Sequence, residues 1–549
     1  MYREQDKYEL ELERRERASS SRGIAEATLI TVFAMFLVKI TGFLREILIV
    51  PKFGYGLLSD AYIFSFQLPD LMFELLIGGA VAAVMTPSLA HGLEAGREKR
   101  SWRAISSFAT FFISVMAFVL LLAFFLVPYI MPIMMGNGPD GTEPELATKM
   151  DLIIPVTRIL LLQTFVMVCI SLTNGVLQAY KRFGPASFGV VIYNIAYMVS
   201  LILLGEPLES AVRKVAWAVV LSSLLYFLFA TFFARRELIN FRLGIDFGDP
   251  EFKHLLKLAV PTLLSGSVLQ LNYLIMNHFA SSLTGAVTSL RQGMTSWTLP
   301  YGIIAVGIGN VVLPNLSTFM ARGDKKKVRK LYTSSLRRIL FFILPFAVAF
   351  AILNFDTIQA IFQWNPSNYT ADEVMRTAKV MRWFCISMLA QSVIFLTNQA
   401  FYARKVTKVT LVVGVFSLVI NPLFILLYTK VFKLGLEGIG MAHATYSVLS
   451  AILVYQAYRM HKPDYRPYRM LPFTIRLIPP ALLMMVLLIA LRSIPWTPEL
   501  KIFQLFVYAV KMGLGFITYY IACLAVGLRE ARNLQSRIRA LLNLRPVEQ

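Results

Sequence analysis

Residues 87–100 read PSLAHGLEAGREKR, and residues 314–327 read PNLSTFMARGDKKK. Each stretch closes a long apolar run and opens a connector crowded with Lys and Arg. Pro87 aligns with Pro314, Leu89 with Leu316, Gly96 with Gly323 and Lys99 with Lys326, at a constant offset of 227. Upstream, Leu68-Pro69 and Leu299-Pro300 each open a Gly-rich stretch, although the spacing to the second Pro differs by four residues. The match implies that the chain leaves an apolar phase on a basic side twice, in the same direction, and so carries an internal duplication.

Outward from these two stretches, runs of the roughly 20 mainly apolar residues that span a bilayer fall at 27–50, 59–91, 104–134, 152–179, 185–205, 211–234, 254–280, 284–320, 333–364, 375–402, 407–429, 436–458, 471–492 and 499–528. The expected fold is therefore all-α: a polytopic membrane protein of about fourteen spans, since a helix satisfies its own backbone inside lipid. Composition agrees, with 57% hydrophobic residues, 16% charged and a mean hydropathy of +0.62. That much apolar surface outruns what a set of soluble domains buries. The duplication divides the chain into an N-terminal tail (1–26), an N-lobe of spans 1–6 (27–234), a linker (235–253), a parallel C-lobe of spans 7–12 (254–458), spans 13 and 14 (459–528) and a C-terminal tail (529–549). Parallel repeats about the membrane normal are one plan of secondary transporters, with the substrate site between them near the midplane.

The 54 Lys and Arg against 32 Asp and Glu give a net charge of +22. These cations concentrate in the two tails and in alternate connectors, the positive-inside pattern, rather than in a nucleic-acid-binding face. Both termini are expected in the cytoplasm, and the polar opening MYREQDKYELELERRERASSSRGIA before the first run reads as the flank of a retained signal anchor. Cys169, Cys385 and Cys523, and the five scattered His residues, show no ligand spacing. Neither a metal nor a cofactor is expected, and no nucleotide-binding or catalytic motif appears.

An ionisable group facing hydrocarbon costs at least ~2.5–3.5 kcal/mol, so those that persist tend to line a cavity, pair or snorkel. Lys39, Arg45, Arg158, Arg291, Arg376, Lys379, Arg382 and Lys511 lie in the apolar runs. Lys39 and Lys511 fall near mid-depth and the rest in the outer half, where charge sorting does not explain cations. Arg376 and Lys379 suit snorkelling; Arg45, Arg158 and Arg291 do not. On span 2, Asp60 sits near the outer end, and Asp70 and Glu74 share one face just after Pro69. Lys39 and Glu74 fall at similar depth on antiparallel spans and are expected to pair, either to fix packing or to line a cavity. Pro69 and Pro300, with Gly78 and Gly79, supply candidate hinges.

Several stretches resemble the MurJ/MviN family of lipid II flippases, within the superfamily that also holds multidrug exporters: KITGFLREI from Lys39, FGYGLLSDAYIFSFQLPDLMFELLIGGAVAAVMTPSLA from Phe53, TRILL from Thr157, NGVLQAYKRFGPASFGVVIYNI from Asn174, AVTSLRQGMTSWTLPYGI from Ala286 and AFYARKVTK from Ala400. The resemblance implies a non-enzymatic transporter of the bacterial cytoplasmic membrane that moves an undecaprenyl-diphosphate-linked glycopeptide outward by alternating access, with a tail groove at spans 13 and 14. It places the family's span 1 signature on Lys39, Gly42, Phe43, Arg45 and Glu46, and its span 2 Asp on Asp60. Two family cations are missing: Phe73 stands where many members carry Arg, and Thr295 where they carry the cavity Arg of span 8. Gly78 also replaces a family Glu. Arg291, one turn before Thr295, is a candidate replacement. The implied substrate contacts are Lys39, Arg45, Arg291, Thr295 and, more remotely, Arg158, with Glu46, Asp60, Asp70 and Glu74 as gating or pairing groups. A monomeric machine driven by the membrane potential, or by Na⁺ or H⁺, is the expectation. The alternatives are a cation-coupled exporter of drugs or another polyprenyl-linked glycan, using Asp70 and Glu74, and a non-transporting scaffold recruiting partners through basic loops.

Overall fold

The computed structural model describes residues 33–34, 36–78, 81–135, 143–461, 463–493 and 500–541. The N-terminal tail, Gly79 and the last eight residues lie outside them. Helices and turns account for all regular structure among the described residues. Eleven of the helices are long and apolar enough to cross a membrane.

The chain begins with α1 (36–47), which turns at Leu48 into α2 (Ile49–Phe53). The expected second span is broken into α3 (Leu57–Ser65), α4 (Gln67–Phe73), two π-helical segments (Glu74–Gly78 and Val81–Met85) and α5 (Thr86–Glu94). Then follow α6 (Glu98–Met134), α7 (Glu143–Ala179), α8 (Phe183–Leu204) and α9 (Glu209–Ala234). The second half runs through α10 (Pro250–Ala280), α11 (Ala286–Tyr301), a π segment (Gly302–Val306), α12 (Gly307–Ala321), α13 (Lys325–Ile352), α14 (Asn354–Phe362), α15 (Ala371–Ala403), α16 (Thr407–Leu426) and α17 (Gly435–His461). The chain closes with α18 (Leu471–Arg492), α19 (Lys501–Ala525) and the polar α20 (Arg529–Leu541).

Helices α10 and α13 begin earlier than the apolar runs suggest, because capping and charged helix formers extend them beyond the apolar phase. Asp249 caps α10, accepting from the Glu251 amide at 2.9 Å, with Pro250 at the first helical position. Asp324 caps α13 likewise, from the Lys327 amide at 3.0 Å. The Lys327 amide and side chain hold the Asp324 carboxyl below the usual carboxylate range. The run expected as one span at 333–364 is two helices, α13 and α14, separated by a break at Leu353.

Pro69 precedes the π segment at Glu74, and Pro300 the one at Gly302. Proline removes a main-chain donor and crowds the previous turn, and α3 gives way to α4 at Phe66, three residues before Pro69. The second and eighth expected spans thus share a π segment on the C-terminal side of a Leu-Pro pair.

Packing is densest within each half. In the first, α7 contacts α9 and α8 contacts α9; in the second, α15 forms a hub for α11, α13 and α17. Across the halves, α10 lies along the broken second span and α6, and α11 meets α3. Helices α18 and α19 pack on each other and join the second half through α13 and α14. Lys501, at the start of α19, donates to the carbonyls of Gln359 and Gln363 at 2.6 and 2.7 Å, satisfying the end of α14.

Close approach of α8 and α9 depends on Gly189. A methyl group there would sit 2.1 Å from the Tyr226 ring, whose hydroxyl is held by the Asn174 side chain at 2.6 Å. Gly189→Leu is therefore expected to cost about 1–3 kcal/mol through overpacking, read as a lower thermal unfolding midpoint in detergent. Gly307→Ala, at a position with open space beside it, should leave that midpoint unchanged.

Candidate functional site

Lys39, Gly42, Arg45 and Glu46 recur at the spacing that places residues on one helical face. That face of α1 looks into a cavity of about 580 Å³ between the halves, closed on the far side by Arg291, Thr295 and Thr298 of α11 and flanked by Asn194 of α8 and Tyr273 of α10. Two cations of α1, Lys39 and Arg45, therefore share one chamber with Arg291 from the other half and with one lining carboxylate, Glu46.

Glu46 is almost fully buried, and the two arginines saturate it. Arg291 donates from Nε to Oε2 and from Nη2 to Oε1, both at 2.8 Å, in the parallel fork that guanidinium and carboxylate favour. Arg45 Nη2 reaches Oε1 at 2.7 Å. Its other terminal nitrogen donates to Asn194 Oδ1 at 3.2 Å, while Asn194 Nδ2 donates to Thr41 at 3.1 Å. The guanidinium lies 5.0 Å over the Tyr197 ring, and Tyr197 hydrogen-bonds Tyr62 through their hydroxyls. Arg45 is thus clamped from three sides, whereas Arg291 is a third exposed to the chamber. Lys39 has no carboxylate partner among the described residues; its side chain runs beside Gly302, where the second half unwinds.

The expected Lys39–Glu74 pair does not form among the described residues. Glu74 continues the register of α4, its amide reaching the Asp70 carbonyl, but Lys39 turns toward Gly302 of the second half instead. Asp70 is exposed and without a hydrogen-bond partner for its carboxylate among the described residues. Arg158 is not in the chamber: its Nε donates to the Phe124 carbonyl at 3.0 Å and its guanidinium lies 5.0 Å over the Phe124 ring, which ties α7 to α6. Thr295 lines the chamber one turn beyond Arg291, so the candidate replacement and the position it replaces face the same space.

Asp60 serves a second locus. Gly285, which precedes α11 at φ 78°, has no side chain to cap that helix. Asp60, buried on α3, supplies the cap from the other half, accepting from the amides of Gly285 (2.7 Å) and Thr288 (2.8 Å) and from the Thr288 hydroxyl (2.6 Å). A carboxylate there answers both the unsatisfied amides and the positive end of the helix dipole. Around it, Ser59 bonds Thr288 at 2.9 Å and Tyr55 bonds Ser289 at 2.8 Å. Tyr55 also stacks on Tyr369 with centroids 5.1 Å apart. At the opposite end α5 packs on α6 and α7, and α12 on α13 and α15, each within its own half. Tyr55, Ser59, Thr288 and Tyr369 carried no charge to draw attention in the sequence; GYG at 54–56 was the available hint of a tight closure.

A family model described as lipid II flippase MurJ matches residues 49–510. The chain belongs to the MurJ family. A protein of Rhizobium tropici named probable lipid II flippase MurJ is 26% identical over 421 residues, 76% of this chain and 77% of that protein. The lipid II flippase MurJ of Burkholderia cenocepacia is 24% identical over 427 residues, 77% and 81% of the two chains. Among solved structures, a lipid II flippase MurJ in an inward closed conformation superposes with a TM-score of 0.72 at 18% identity, covering 90% of this chain and all of that one. An inward-facing multidrug MATE transporter of the MOP superfamily follows at 0.64 and 16% identity, covering 77% of this chain and 94% of that one. These likenesses place this MurJ-family chain in the same all-α membrane fold.

Removing the trans cap should loosen the closed end. Asp60→Ala is expected to cost about 1–2 kcal/mol there and to speed labelling of a Ser289→Cys reporter by a water-soluble maleimide. Equal labelling rates with and without Asp60 would show that the cap does not hold this end shut.

Proposed function

We propose that this chain carries lipid II, the undecaprenyl-diphosphate-linked peptidoglycan precursor, from the cytoplasmic to the outer leaflet of the bacterial cytoplasmic membrane by alternating access. The observation that carries the reading is the Arg45–Glu46–Arg291 cluster. A carboxylate held by two guanidinium groups occupies the geometry that a phosphate oxygen pair would take. Three cations line the chamber against one lining carboxylate, with Asp70 within electrostatic reach of both arginines, and this positive balance of the lining suits a diphosphate. In this reading the headgroup displaces Glu46 from the arginines, and Lys39 neutralises the second phosphate. Thr295 supplies a hydroxyl where other members place a cation, and Asp70 and Glu74 line the approach.

The halves 27–234 and 254–458 act as the two rocking lobes, with Gly42, Pro69, Gly78, Gly79 and Pro300 as hinge positions and 459–528 as the groove for the lipid tail. The Asp60 cap marks the closed outer end of one state, with both termini in the cytoplasm. The lipid leaves chemically unchanged, and one copy of the chain encloses the whole path. Outward movement of negative charge is downhill by ~2.3 kcal/mol per charge per 100 mV under an inside-negative potential, so no nucleotide is needed. Na⁺ or H⁺ binding at Asp70 is the second reading, favoured by that carboxylate's exposure and its lack of a hydrogen-bond partner among the described residues. It belongs to a cation-coupled exporter.

Arg45→Gln and Arg291→Gln are each expected to abolish rescue of cells depleted of their own flippase, at unchanged membrane abundance of the protein; normal growth on either variant refutes the diphosphate assignment. Asp70→Asn separates the two readings. It should leave rescue intact for a potential-driven flippase, whereas loss of transport together with loss of its dependence on a cation gradient identifies the coupled exporter.

A further inference from the structure

We propose that a cleft between the start of α6 and the linker joining the two halves binds the headgroup of an anionic phospholipid from the surrounding leaflet. The inference does not depend on what the central chamber transports.

The linker does not hang free. The amides of Arg242, Gly244 and Asp246, alternate residues of an extended segment, donate to Ser106 (3.2 Å), Thr110 (3.3 Å) and Ser107 (3.1 Å) on α6. This lashing gives the cleft a fixed wall and leaves a cavity of about 720 Å³ beside it. The apolar side chains divide between two surroundings: Phe241 and Ile245 pack on the core, while Leu243 is 85% exposed, Ile239 80% and Phe247 61%. Large apolar groups displayed this openly beside a membrane helix mark a surface that lipid covers.

The polar lining supplies the complementary half. Lys99, Arg103 and Arg242 face the cleft, against one lining carboxylate, Asp246. That carboxylate is already engaged, by Arg103 at 2.7 Å and the Gly248 amide at 2.9 Å, and those two donors hold it below the usual carboxylate range. The neighbouring acids are committed as well: Glu98 accepts from Tyr180 at 2.5 Å, and Glu251 pairs with Arg100 at 2.8 Å. Lys99 and the Arg242 side chain have no carboxylate partner among the described residues.

Depth fits the same occupant. α6 has 37 residues, about 55 Å at 1.5 Å per residue, nearly twice the ~30 Å hydrocarbon core. Its first turns therefore stand at headgroup level. A phosphate placed between Lys99 and Arg242 leaves its acyl chains to run over Ile239, Leu243 and Phe247. A zwitterionic headgroup would bring its own ammonium against the same cations, so the cleft selects a net-negative lipid.

The test is native mass spectrometry of the full chain released from mild detergent, titrated with phosphatidylglycerol or with phosphatidylcholine of matched acyl chains. The unsubstituted protein should retain one phosphatidylglycerol under activation that strips the other lipid. Lys99→Gln with Arg242→Gln should lower that retention roughly 10-fold or more, with an unchanged melting temperature in lipid-free detergent. Leu243→Gln, which removes no charge, should also lower it through the acyl contacts. Equal retention of the two lipids, undiminished retention by the double variant, or displacement of phosphatidylglycerol by millimolar inorganic phosphate would each overturn the proposal.

Discussion

Glu46 holds two arginines that arrive from opposite halves of the chain. In a chamber walled by apolar helices, Arg45 and Arg291 would repel each other strongly without an intervening anion, because the field between charges grows as water is excluded. The carboxylate resolves that conflict and at the same time stitches α1 to α11. A ligand able to take its place must therefore bring at least as much negative charge and as many acceptor oxygens. The internal ion cluster thus sets both the cohesion of the empty chamber and the chemistry of what can enter it.

Asp60 makes the second bridge, of a different kind. Glu46 meets side-chain cations, whereas Asp60 meets the bare amides of a helix start that glycine has left uncapped. Its hydrogen bonds are short and run to main-chain and hydroxyl groups, with the buried Lys149 as the cation within electrostatic reach. Between these two bridges and the opposite end lie the π segments after Pro69 and Pro300. Helices that have surrendered a regular hydrogen-bond register there have two packings within reach at modest cost. A closed end, an ion cluster between the halves and softened helices beyond form the elements that alternating access requires.

The roles of the other cations follow from what they touch. Arg158 looks equivalent to Arg45 by depth, yet it spends its guanidinium on a carbonyl and an aromatic face of the neighbouring helix. Lys511 meets Asp356 at 3.6 Å on α14, so it ties α19 to the second half. Depth along a helix does not distinguish these uses, because azimuth around the helix decides which neighbour a long side chain meets.

Hydropathy and the alternating basic connectors sufficed to read a helical membrane protein, since the bilayer imposes a length and a polarity on every crossing segment. The chemistry of Lys39, Arg45 and Arg291 was legible for the same reason: cations kept in apolar runs must have a purpose. Tertiary structure alone decided their partners. Glu46 rather than Glu74 became the counter-ion, because α11 carried Arg291 against α1 while Lys39 turned toward Gly302; Asp60 found a helix end more than two hundred residues away. Pairings between distant helices depend on how each is rotated and where it unwinds, and a single sequence fixes the period of a helix without fixing its neighbour.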